Sequence, residues 1–353
     1  MLIRISRVGA DGRILARGAV LRVGDERHLG LRPLPGVNVV AGVTGSGKTL
    51  LAEALWLGVV HTLYRLLREW RFYKALLGAV RAYGIRPIDV EFEVCLSDAE
   101  IPGLRREVCI KTEIRNGEDS RTAAPEDAIR DGELRRGLIY ALLHIVSIPD
   151  GAKWRTANVL RELTRPGMLA MGSVEELWEQ CLASVALIPP VNAGDIYFPC
   201  YMHPLGVLEH YTLKLGRAGD DSYFYAAASR GEVSRALFEA AYELTRRVAK
   251  LAREELGVSV VPMLYIDDAF EGLDAAKIRS LLSRDYRDAS IYASTHRLEA
   301  GAHATRSFIM TYGTKASELV EQLPDFRFAL VDVALAEGEI FNDVYSKLLG
   351  EEP

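Results

Sequence analysis

The amino-acid sequence predicts an α/β fold, a mixed sheet flanked by helices and built around a glycine-rich, phosphate-cradling turn. Three observations predict it. The apolar run Val37 to Ala41 leads without a break into Gly42-Val43-Thr44-Gly45-Ser46-Gly47-Lys48-Thr49, and helical apolar spacing begins at once after it. A second apolar run, Met263-Leu264-Tyr265-Ile266, ends in the two carboxylates Asp267 and Asp268. Residues 88–96 and 107–115 alternate strictly between apolar and polar, the pattern of an antiparallel hairpin with one buried face.

The elements follow in order. Residues 1–24 read as two short strands around the turn Ala10-Asp11-Gly12. From Thr49 to about Tyr83 the spacing is helical, with Leu50, Leu51, Ala54, Leu55, Leu63, Leu66 and Leu67 on one side. Gly84 and Pro87 end that region, and the hairpin 88–115 follows. The polar stretch 117–131 reads as a loop, and helical patterns return at 132–147 and 173–187. Residues 232–256 form a long amphipathic helix whose early Glu232 and Glu239 and late Arg246, Arg247, Lys250 and Arg253 suit the helix dipole. Strands are expected at 258–266 and 289–294.

Composition narrows the class. A chain of 353 residues suits two domains, or one large α/β unit with an insertion. With 43 basic and 48 acidic residues the net charge is −5, so contact with nucleic acid requires a local basic patch. Cys95, Cys109, Cys181 and Cys200 form no CxxC pair and have no zinc-ligand spacing, which argues against a zinc module and a secreted disulfide scaffold. The N-terminus lacks a signal-peptide core, and the uncharged run Gly137 to Pro149 is too short to span a bilayer. A cytoplasmic protein without a membrane partner is expected.

Gly42 to Thr49 matches the P-loop pattern GxxxxGK[ST] between a strand and a helix. Glycines there let backbone N–H groups turn inward around phosphate oxygens. Gly42, Thr44, Gly45, Ser46 and Gly47 would form the cradle, Lys48 would bridge the β- and γ-phosphates, and the Thr49 hydroxyl would ligate Mg²⁺. Asp267 is the expected acid on the metal side, and Asp268 the base for an attacking water.

With these motifs in place, the run Ile266 to Asp274 resembles the Walker B motif and D-loop of ABC-type ATPases. Ser294-Thr295-His296 resembles their switch histidine, and Ala228-Ser229-Arg230-Gly231-Glu232 resembles their signature at the start of a long helix. The opening segment is similar to the class of SMC, RecF and RecN, without the coiled-coil arms. Matching segments cover roughly 1–60 and 225–300. The resemblance implies an ATP- and Mg²⁺-dependent ATPase head that dimerises head to tail. It places Ser229, Gly231, Glu232 and Asp274 at the nucleotide and makes His296 a γ-phosphate sensor. Ser229 and Glu232 also have the spacing of a helix-capping box, a role compatible with anion binding. Two departures stand out: Asp268 replaces the usual glutamate, and only Gln180 is available as a Q-loop glutamine.

The implied organisation is a discontinuous nucleotide-binding core, 1–116 and 226–353, with a mainly helical insertion at 117–225 carrying the signature lobe. The implied role is DNA repair, recombination or chromosome organisation. The alternatives are an ATPase subunit working with a separate nuclease chain in a defence system, a transporter nucleotide-binding subunit, and a nucleotide-gated interaction protein that hydrolyses little. Residues 61–86 carry Arg65, Arg68, Arg71, Lys74, Arg81 and Arg86 among aromatics, which suits DNA or an acidic protein partner. The same pattern fits a packed helix with solvated arginines.

Overall fold

A computed structural model describes residues 1–67, 84–104, 106–126, 130–150, 230–313 and 327–333. Its strands are β1 (Leu2–Ala10), β2 (Arg13–Ala16), β3 (Ala19–Val23), β4 (Glu26–Leu29), β5 (Gly36–Ala41), β6 (Asp89–Leu96), β7 (Val108–Arg115), β8 (Asp119–Ala123), β9 (Ile145–Ile148), β10 (Met263–Ile266), β11 (Ser290–Thr295), β12 (Arg306–Gly313) and β13 (Arg327–Asp332). The described α-helices are α1 (Lys48–Leu67), α2 (Gly132–Leu143), α3 (Arg230–Leu256) and α4 (Ala275–Leu282).

The strands build two sheets. One has five strands in the order β2-β1-β6-β7-β8, all antiparallel; the other has eight, in the order β4-β3-β13-β12-β5-β11-β10-β9. Within the second sheet β12, β5, β11, β10 and β9 run parallel, so their C-terminal ends share one edge. That edge carries the candidate site.

Successive side chains of the parallel block point to opposite faces. Val40, Met263, Tyr265 and Tyr292 enter a large core shared with α1, α2 and the five-stranded sheet. Their neighbours Val37, Val39, Leu264, Ile266, Ile291 and Ala293 enter a second core with Phe238 of α3 and Ile278 and Leu281 of α4. This two-sided burial is why these strands read as continuous apolar runs. In the hairpin β6–β7, by contrast, Val90, Phe92 and Val94 are buried and Asp89, Glu91 and Glu93 are half-exposed. The outer face is tied by Arg4 to Glu93 at 2.7 Å and by Lys111 to Glu113 at 3.2 Å.

Several boundaries differ from the sequence reading, each for a physical reason. Residues 119–123 form the edge strand β8 rather than a loop: its inward hydroxyls are satisfied, with Thr122 bonded to Thr112 at 3.0 Å and Thr112 to Thr62 of α1 at 2.7 Å. The helix expected to run to 147 stops at Leu143, and Ile145–Ile148 pairs with β10, a parallel pairing that local periodicity cannot reveal. β10 begins at Met263, after Pro262, which has no N–H to donate. The start of the segment assigned to an insertion thus contributes β8 and β9 to the two sheets and α2 to the large core.

Cys95 and Cys109 sit directly opposite each other on β6 and β7 and form a disulfide, a pairing their spacing alone does not suggest. The helical pattern at 173–187, Gln180, Cys181 and Cys200 lie outside the described residues. No described helix is long and apolar enough to cross a membrane.

Candidate nucleotide site

β5 ends at Ala41 and α1 begins at Lys48, so the glycine-rich turn joins a buried strand to a helix N-terminus. Gly45 and Gly47 take positive φ of 84° and 87°, a region that side chains with a Cβ rarely enter. Val43, Thr44, Gly45 and Thr49 are exposed, whereas Gly42, Ser46 and Lys48 are buried. The Lys48 ammonium donates to the carbonyls of Gly42 at 2.5 Å and Val43 at 3.2 Å and to Ser46 Oγ at 3.2 Å. Burial lowers the Lys48 pKa, and the carboxylates of Asp267 and Asp268 partly oppose that shift. The ammonium is therefore folded back on its own loop, held by weak neutral acceptors.

Asp267 and Asp268 leave β10 at the same edge. Asp267 is 1% exposed, its N–H donates to Ile148 at 3.0 Å, and its Oδ1 accepts a 2.6 Å bond from Ser294 Oγ. Its Oδ2 is buried with no hydrogen-bond partner. A buried carboxylate oxygen left open in this way is unusual unless a ligand, ion or water completes it. An open anionic oxygen of this kind suits a hydrated Mg²⁺, which takes few protein oxygens and keeps several waters.

Asp268 has φ of 44°, strained for a non-glycine residue, and its N–H donates to the same Ser294 Oγ at 3.0 Å. One serine hydroxyl thus fixes both acids. His296 follows β11 immediately and is exposed. The register pairs Ala41 with Thr295, Val40 with Ser294 and Ala293 with Ile266, which brings the loop, the acids and the histidine to one edge.

The other expected residues divide. Gly231 lies at the start of α3, where an added Cβ would overlap the carbonyl of Gly272. Gly272 has φ of 73°, and Arg230 pairs with Glu271 at 3.2 Å, so the helix start packs closely on the D-loop-like turn of the same chain. Asp274 caps α4, accepting from the Lys277 N–H at 2.8 Å; that bond is the main reason its pKa is lowered. Ser229 and the Glu232 side chain lie outside the described residues.

Of the basic segment 61–86, residues 68–83 lie outside the described residues. The two described ends of the segment are engaged within the chain. His61 and Thr62 are fully buried, Arg65 donates to the Ser120 carbonyl, and Arg86 pairs with buried Glu53 at 2.6 Å. Both described arginines are engaged in the protein's own contacts.

Three residues carry roles that the sequence reading did not assign. Ser294 orients both acids. The Tyr265 hydroxyl, inside the large core, donates to the Lys48 carbonyl at 3.2 Å and joins β10 to the start of α1. Asp150 follows β9, and its carboxylate lies with those of Asp268 and Glu271, their oxygens within 4.8 Å of one another. The only available signal for Asp150 was an apolar run ending in an acid, as β10 also does.

No family model matches the sequence, and no curated protein does. Among solved structures, the chain is similar in overall fold to the Smc head bound to the C-winged-helix domain of ScpA. The TM-score is 0.40 and the identity 11%, with 94% of this chain and 98% of that one covered. The Thermotoga maritima SMC head domain gives 0.36 at 13% identity, covering 94% and 98%. The recombination mediator RecF bound to ATP gives 0.32 at 13%, covering 87% and 97%.

Proposed function

We propose that this chain is an ATP-binding and ATP-hydrolysing head of the SMC and RecF type, working as an ATP-dependent head-to-tail dimer in DNA repair, recombination or chromosome organisation. The observation that carries the reading is the convergence of four features on one sheet edge: the P-loop, the half-satisfied Asp267, Asp268 and His296. In this reading the core includes β8, α2 and β9. The partners are a second copy, DNA, and, if the defence alternative holds, a separate nuclease chain. The setting is the cytoplasm.

The chemistry assigned to the residues is specific. The N–H groups of Thr44 to Lys48 donate to phosphate oxygens at the helix N-terminus. Lys48 exchanges its carbonyl acceptors at Gly42 and Val43 for β- and γ-phosphate oxygens, which bind an ammonium more strongly because they are charged. Thr49 and Asp267 hold Mg²⁺, which when bound neutralises charge on the phosphates. Asp268 accepts the proton of the attacking water, and His296 contacts the γ-phosphate. In the partner protomer's site, the α3 start around Ser229 and Gly231 closes on the nucleotide, with Glu232 and Asp274 beside it.

A second reading, nucleotide-gated interaction with little turnover, is favoured by one feature: Asp268 is both short and in a strained backbone conformation. Wild-type phosphate release measured beside ATP affinity separates the two, and one variant tests the assigned roles. Asp268→Asn with ATP and Mg²⁺ should double the mass seen by light scattering and abolish phosphate release. A single mass under every nucleotide condition refutes the dimer, and phosphate release at the wild-type rate refutes the role of Asp268.

A further inference from the structure

At the opposite edge of the parallel block, where β10 and β11 begin, lies a groove of about 630 Å³ between α3 and the loops preceding those two strands. Arg246, Lys250 and Arg253 line it from the helix, and Arg287 from the loop facing them. The helical positions are four and three residues apart, so the three cations share one face and span roughly 10 Å along the axis. Their acidic neighbours are Glu254 and Asp288 in the groove and Asp285 beside it, which pairs with Arg287 at 3.2 Å. Asp288 accepts from Arg246 at 2.6 Å, while Glu254 stands 3.9 Å from Lys250, a weak pair. Arg246, Lys250, Arg253 and Arg287 outnumber these three acids by one, a small positive surplus on a chain of net charge −5.

We infer that this groove binds the phosphate backbone of duplex DNA. The cations are exposed, with side chains at 49% for Arg246, 73% for Lys250 and 87% for Arg287. Exposed cations are screened, so each adds little against a single small anion. A polymer that meets several at once gains from counterion release, and the 10 Å stripe suits two successive phosphates. The floor is Val260, Val261 and Pro262, with no aromatic ring among the described lining residues. These residues offer no stacking platform for single-stranded bases, which favours backbone contact and sequence-independent binding. The inference is independent of the nucleotide site, which occupies the other edge of the sheet.

The test is fluorescence anisotropy with a labelled duplex of about 20 bp and mixed sequence, titrated from about 50 mM NaCl upward. Wild type should bind with a log–log salt slope near −2 to −4. The triple variant Lys250→Glu, Arg253→Glu, Arg287→Glu should bind at least about tenfold more weakly at low salt with a shallower slope, and keep its ATP affinity and melting temperature. Glu254→Gln, which removes a repelling charge and spares the fold, should tighten binding by roughly twofold or more. The inference is overturned if wild type does not bind at low salt, or if the triple variant keeps the wild-type affinity and slope. It is likewise overturned if Glu254→Gln leaves affinity unchanged, and binding then lies elsewhere on the chain.

Discussion

Ser294→Ala removes a single oxygen that serves both acids of the candidate site. Ser294 is fully buried; its Oγ donates to Asp267 Oδ1 at 2.6 Å and accepts from the Asp268 N–H at 3.0 Å. The first bond involves a buried carboxylate and is worth about 1.5–3 kcal/mol, the second about 1 kcal/mol. After the substitution Asp267 loses its one side-chain donor, because Oδ2 already lacks a partner. The chain should lose about 2–4 kcal/mol of unfolding free energy. The orientation of Asp267 and the strained Asp268 backbone should relax together, lowering ATP turnover roughly ten- to a hundredfold, as for other residues that orient metal ligands. Urea unfolding followed by circular dichroism reads the first effect, and phosphate release at saturating ATP and Mg²⁺ reads the second. A midpoint and a rate both equal to wild type would refute the shared-hydroxyl account.

The cross-strand disulfide closes a loop between cysteines 14 residues apart, so Cys95→Ser with Cys109→Ser should cost on the order of 3 kcal/mol. Alkylation without reductant, read by mass spectrometry, should leave both cysteines unmodified, and labelling of both would contradict the pairing. His61 and His144 are each lowered to about 4, chiefly by burial. Their folded pKa lies below the unfolded value, so the unfolded chain binds more protons between those values. Stability is then full above about pH 6.5 and falls with acidification toward pH 4, by about 2 kcal/mol per histidine at pH 5. Urea midpoints at about pH 7.5 and 5 should show the loss, and His61→Gln with His144→Gln should flatten it. An equal pH slope in the double variant would refute this assignment.

How much of this was readable in advance follows from the range of the forces involved. The P-loop, α1, β5 and the acids after β10 were legible because strand, turn and helix are contiguous and each residue type has a local reason. The hairpin β6–β7 was legible because a one-sided sheet imprints a two-residue period. β9 was read as the end of a helix because Ile145, Val146 and Ile148 carry no period that distinguishes helix from buried strand. Its identity comes from β10, more than a hundred residues later in the chain. β8 was hidden because its inward residues are hydroxyls whose partners sit on α1 and β7. Ser294, named only as part of the histidine motif, and Asp150 had no role assigned for the same reason: their meaning lies in neighbours across the sheet. Arg65 and Arg86 read as part of a basic surface because sequence shows charge but not the Ser120 carbonyl or Glu53 that engages it.

The central claim is that the edge formed by Gly42 to Thr49, Asp267 and His296 is a nucleotide site. Isothermal titration of the purified chain with ATP and Mg²⁺, beside Lys48→Ala, tests it most directly. The account predicts one ATP per chain for wild type and no measurable heat of binding for Lys48→Ala, since the substitution removes the ammonium proposed to face the β- and γ-phosphates. Wild type that fails to bind ATP, or a Lys48→Ala protein that binds it with unchanged affinity, would contradict the account.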